Sequence, residues 1–149
     1  MEQQPAMVRH PIHLMLMPFP IALWSFSLAS DAMYWLGFGG PMWQDIALYS
    51  MVAGIGGGVA AAIPAYFDYR AIRDPDLAHV AKRHMWFNGH IVLLYSLNAA
   101  LRFEASPEAW VPAAASVTGA CMLMVSAWWT SQFTYAEAPA VDVSWERAA

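Results

Sequence analysis

Charge is scarce in this sequence. Only 12% of its 149 residues are Asp, Glu, Lys or Arg, against roughly a quarter in a soluble domain, and 59% are hydrophobic. That is too little charge to coat a globular surface in water. Cysteine is nearly absent. The single thiol, Cys121, excludes an internal disulfide and a cysteine metal cluster, and its apolar surroundings predict a buried, inert side chain. A net charge of −4 leaves no basic face for nucleic acid. There is no Gly-rich phosphate loop and no nucleophile elbow. Ser25, Ser27 and Ser30 have no base at their depth, which disfavours hydrolase chemistry. A cleavable leader is not expected, because the apolar stretch after the polar residues 1–9 is too long for a signal h-region and lacks a small-residue cleavage site.

What the sequence does have is long apolar blocks, at 12–37, 46–67, 84–103 and 110–133. About 20 apolar residues suffice to cross a bilayer's hydrocarbon core. The expected fold is therefore all-α, an integral membrane four-helix bundle over residues 1–135 with a polar tail at 136–149. Gly39-Gly40-Pro41 predicts a tight turn. Ser106-Pro107-Glu108 separates the last two blocks, and 68–83 is a long polar connector. With four spans, both termini and that connector share one side. Arg9, Arg70, Arg73, Lys82, Arg83 and Arg147 fall there, and only Arg102 falls opposite. The positive-inside rule then places the termini in the cytoplasm and the chain in the inner membrane. Trp43, Trp86 and Trp110 stand near helix ends, where indoles favour the interface.

The spans contain no lysine or glutamate, and one aspartate, Asp31. A charge at that depth faces protein or water. His13 and Asp31 are 18 residues apart, as are His84 and Arg102. Eighteen residues make five turns, so each pair shares one face, roughly 27 Å apart along the axis. The first and third spans run in the same direction. If these faces meet, His13 lies level with His84, and Asp31 pairs with Arg102. Pro18 and Pro20 would kink the first helix. Asn88, Tyr95 and Asn98 extend the polar stripe of the third helix, and such a stripe must point at other helices. Gly54 and Gly58 have the spacing that lets helices approach closely. The same glycine run leaves room for a flat cofactor, close packing being the better reading. Pro64 is expected to bend the end of that helix.

There are five histidines: His10, His13, His79, His84 and His90. Neutral imidazole enters a membrane more readily than a fixed charge and is a good iron ligand. His13 and His84 are the expected axial ligands of a b-type haem held between two helices. His10, one turn away, is the reserve ligand, Asn88 is a neighbour of the site, and Asp68 is placed to accept a ring N–H. His90 points roughly 120° away from the stripe. The same histidines also fit a hydrogen-bonded cluster with Asn88 and water that holds no iron.

The run from His13 through Pro18-Phe19-Pro20 to Trp24, Asp31 and Tyr34 resembles the opening motif of a known family. Ala61-Ala62-Ile63-Pro64 with Phe67-Asp68-Tyr69 is similar to that family's second-helix ending. His84-Met85 with Asn88, Leu94-Tyr95, Asn98 and Arg102 is similar to its third helix. The family is that of bacterial predicted membrane proteins called domain of unknown function 2231. The resemblance covers nearly the whole chain and implies a small multi-helix membrane protein. Association of related sequences with c-type cytochrome and dehydrogenase modules implies electron transfer. His13, Asp31, Asp68, His84 and Asn88 fall on motif positions. Leu14 stands where members commonly have proline, and Trp129-Thr130-Ser131-Gln132 where they commonly have a Gly-Gly pair. Two functions are thus expected: a haem-carrying electron-transfer protein, or a non-enzymatic accessory subunit. The Trp and Met content, with the Gly54–Gly58 face, further predicts a homo-oligomer or a larger membrane complex, with a c-type cytochrome or dehydrogenase as the implied partner.

Overall fold

A computed structural model describes residues 12–104 and 110–137. Among these, the chain forms helices and turns and no strand: α1 (Ile12–Leu16), α2 (Pro18–Trp35), α3 (Met42–Ala71), α4 (Pro75–Glu104) and α5 (Trp110–Glu137). Three segments are long and apolar enough to cross a membrane: Ile12–Trp35, Met42–Ala71 and Trp110–Thr130. The 30-residue α4 is as long as α3. Its polar residues, the stripe of His84, Asn88, Asn98 and Arg102 among them, lower its mean hydropathy, and it is not one of the three.

Local chemistry explains the boundaries. Proline has no amide hydrogen, and Pro18 and Pro20 split the expected first helix at Met17 into α1 and α2. The Met17 N–H still reaches the His13 carbonyl at 3.1 Å. Gly39, at the turn before α3, has φ +87° and would bring a Cβ 2.9 Å from the Trp43 indole, so only glycine fits there. The polar connector expected at 68–83 is mostly helix, with only 72–74 between α3 and α4. Asp74 makes this possible. Its carboxylate accepts from the Asp76 and Leu77 N–H groups at 2.8 and 3.1 Å, and Pro75 occupies the first helical position. A 30-residue helix is about 45 Å long, longer than a hydrocarbon core about 30 Å thick.

Neighbours around the molecule run α2, α3, α4, α5 and back to α2, with α1 lying on α3. Helices α2 and α4 stand diagonally and have no Cα pair within 8 Å. Large side chains fill the space between them. The Trp24 indole stacks on the Tyr95 ring with centroids 4.3 Å apart and planes 7° apart. Its N–H donates to the Met51 carbonyl at 3.2 Å. Met51, Ile91 and Ala99 complete this core.

The Gly54–Gly58 face is taken by this ring. A Cβ on Gly54 would lie 2.6 Å from Trp24, and one on Gly58 3.2 Å from it. The glycines thus receive an indole from the same chain, and this face does not support the expected oligomer. Cys121, expected to be buried, is exposed. It lies off the α5 face that carries the buried Ser116 and Ser126.

Candidate functional site

Two polar clusters occupy opposite ends of α4. At one end Arg102 reaches across the diagonal to Asp31. Its Nη1 and Nη2 donate to the two carboxylate oxygens at 2.8 and 2.6 Å. This is the fork-to-carboxylate geometry that makes such pairs strong. Arg102 Nη2 also donates to Ser116 Oγ at 3.0 Å, and Asn98 Nδ2 donates to the same hydroxyl at 3.0 Å. The side chains of Asp31 and Arg102 are only 7% and 9% exposed, so each charge depends on the other for solvation. The 18-residue spacing read from the sequence brings these two residues together.

At the other end, His13 on α1 and His84 on α4 lie within electrostatic reach of each other. His13 Nδ1 lies 2.9 Å from the Ala61 carbonyl of α3. A carbonyl only accepts, so Nδ1 carries the proton and Nε2 the lone pair. Ala61 adjoins the carbonyl of Ala60, which Pro64 leaves without its helical donor. The Ala61 carbonyl, one residue along from that turn position, fixes the His13 tautomer. Asp68, which the sequence placed to accept a ring N–H, is half-buried on α3.

The surroundings of His84 fix its protons by the same reasoning. Ser126 Oγ donates to Asn88 Oδ1 at 3.1 Å. Asn88 Nδ2 then donates to the His84 carbonyl at 2.9 Å and to His84 Nε2 at 3.0 Å. Nε2 is therefore the acceptor and Nδ1 the protonated nitrogen, 3.5 Å from Thr130 Oγ1. Thr130 in turn donates to the Ser126 carbonyl at 2.9 Å. A polar network joins α4 to α5 through His84, Asn88, Ser126 and Thr130.

The model of the predicted membrane proteins of domain of unknown function 2231 matches residues 9–141. The chain belongs to this family. No curated protein and no solved structure matches it.

In this member of domain of unknown function 2231, the structure gathers His13, His84 and Asn88 at one end. His10 lies outside the described residues. His90 turns away, its Nδ1 2.7 Å from the Trp86 carbonyl of its own helix. The contributions of α5 escaped the sequence reading. Ser116, Ser126 and Thr130 are small hydroxyl residues whose spacings of 10 and 4 keep them on nearly one helical face, and that periodicity was the available signal. Tyr95 faces Gly119, where a Cβ would meet the ring at 2.7 Å. The pairing of a large residue with a glycine on another helix is a fact of three dimensions that one chain's spacing does not carry.

Proposed function

We propose that this protein is a four-span membrane protein with both termini in the cytoplasm, and that it carries a b-type haem between His13 and His84. The observation that supports this reading is the matched state of the two imidazoles. Each holds its Nδ1 proton toward an oxygen of a neighbouring helix, Ala61 O for His13 and Thr130 Oγ1 for His84. Each therefore has its lone pair on Nε2. This is the arrangement in which a second contact orients an iron-ligating histidine and raises its basicity.

The donor set fits haem iron, which takes neutral imidazole as an axial ligand. When bound, the haem supplies one-electron redox chemistry. The chain's own residues orient the ligands. Ala61 and Thr130 would hold the ring protons, and His84 Nε2, which accepts from Asn88 Nδ2 here, would be the nitrogen offered to the iron. The bonds of Asn88 to the His84 carbonyl and to Ser126 do not involve Nε2 and would hold the Asn88 side chain in place with haem bound. The ion pair at the far end locks α2 to α4, and so keeps the two histidine-bearing segments level.

The cytoplasmic placement of the termini follows from the six-to-one basic bias, with α4 crossing the membrane alongside the three more apolar segments. The second reading, a non-enzymatic accessory subunit of a larger membrane complex, is favoured by one observation: His84 Nε2 is already satisfied by Asn88. In that reading the histidines serve packing alone. A reduced-minus-oxidised absorption spectrum of protein purified from haem-replete cells separates the two. A Soret band that shifts on reduction supports the haem, and a colourless, folded protein supports the accessory subunit.

A further inference from the structure

The first three turns of α4 carry His79, Lys82, Arg83 and Trp86 at helical spacing. With Phe87 and with Trp129 of α5, they line an open groove of about 470 Å³. Lys82 and Arg83 are exposed, and neither pairs with a carboxylate among the described residues. The Arg83 guanidinium lies over the Trp129 ring, 5.2 Å from its centroid. Trp129 in turn meets Phe87 edge-on at 6.3 Å. One cation is thus held above an aromatic wall, and a second, Lys82, lines the same groove. Trp86 beside them is 62% exposed, and farther along α4 Leu93 and Leu97 face outward at 55% and 56%.

We propose that this groove binds the headgroup of an anionic phospholipid. Lys82 and Arg83 would contact the phosphodiester, Trp86 and Trp129 would border the glycerol region, and the acyl chains would run along the Leu93–Leu97 face. The charge and the order of the residues both argue for a lipid. The basic residues precede the indoles, and the indoles precede the aliphatic track, as headgroup, interface and hydrocarbon follow one another in a bilayer. Wide, open walls with one apolar end suit a lipid better than a free anion, which closed cradles of N–H groups usually hold. The proposal rests on α4 crossing the membrane. Its test needs no haem and no orientation, so its failure is separate from theirs.

The test is lipid titration of the full chain in mild detergent, followed by calorimetry, with three probes: dioctanoyl phosphatidylglycerol, dioctanoyl phosphatidylcholine and inorganic phosphate. The glycerol lipid should bind about tenfold tighter than the choline lipid. A basic residue near a membrane surface is worth about fivefold in affinity for an anionic lipid. Lys82→Gln should therefore weaken binding about fivefold, and Lys82→Gln with Arg83→Gln by tenfold or more. Arg70→Gln with Arg73→Gln, at the neighbouring end of α3, should leave it unchanged. Lys82→Gln alone guards against a packing effect, since it is Arg83 that lies over the Trp129 ring. Equal affinity for the two lipids, equal losses in the α3 pair, or phosphate binding as tightly as the glycerol lipid would each overturn the proposal.

Discussion

Arg102 and Asp31 join two helices whose Cα atoms come nowhere within 8 Å of each other, through hydrogen bonds of 2.8 and 2.6 Å to both carboxylate oxygens. The long arginine side chain spans the diagonal that backbone packing leaves open. Removing either partner strands the other as a lone charge. Asp31→Asn and Arg102→Gln should each lower stability by about 3 kcal/mol. The double variant should lose clearly less than the sum of the two. A double-mutant cycle on unfolding in dodecyl sulfate measures this, and additive losses would show that the pair does not couple.

The stacked Trp24 and Tyr95 predict opposite responses from two small changes. Gly119→Ala places a methyl 2.7 Å from the Tyr95 ring, and should destabilise by about 1–3 kcal/mol through overpacking. Tyr95→Phe removes a buried hydroxyl that has no hydrogen-bond partner among the described residues. It should leave stability unchanged or raise it by about 1 kcal/mol. Thermal unfolding in detergent compares the two. A large loss in Tyr95→Phe would mean that the hydroxyl has a partner essential to the fold.

The ion pair was legible in the sequence because a periodicity of 3.6 and parallel spans determine level as well as face. Asp31 was the sole aspartate of the spans, and Arg102 the sole basic residue on its side. The helical extent of 68–83 was not legible from hydropathy, because a helix that leaves the membrane turns polar without ending. Asp74-Pro75 was the stop-and-start signal there. Trp24 in the Gly54–Gly58 face was missed for a different reason. A glycine pair announces a close approach without saying whether a helix or a ring will make it.

Topology is open to direct measurement. Reporter fusions at Gly40 and at Pro75 should sit on opposite sides of the membrane, with Pro75 cytoplasmic. Both reporters on one side would mean that α3 does not cross.

The network around His84 separates its packing role from its ligand role. Ser126→Ala removes the donor to Asn88 Oδ1, and should cost about 1 kcal/mol of stability in detergent unfolding. Asn88→Ala should cost somewhat more, yet keep the haem, because it releases His84 Nε2. Loss of the Soret band with full stability in Asn88→Ala would place Asn88 on the cofactor itself.

The haem proposal turns on His13 and His84, and the absorption spectrum of purified protein made with ample haem supply tests it most directly. The wild-type protein should show a Soret band that shifts on reduction. His13→Ala and His84→Ala should each abolish or strongly weaken that band while helical content by circular dichroism persists. A wild-type preparation that is colourless and free of iron, with its helices intact, would contradict the account.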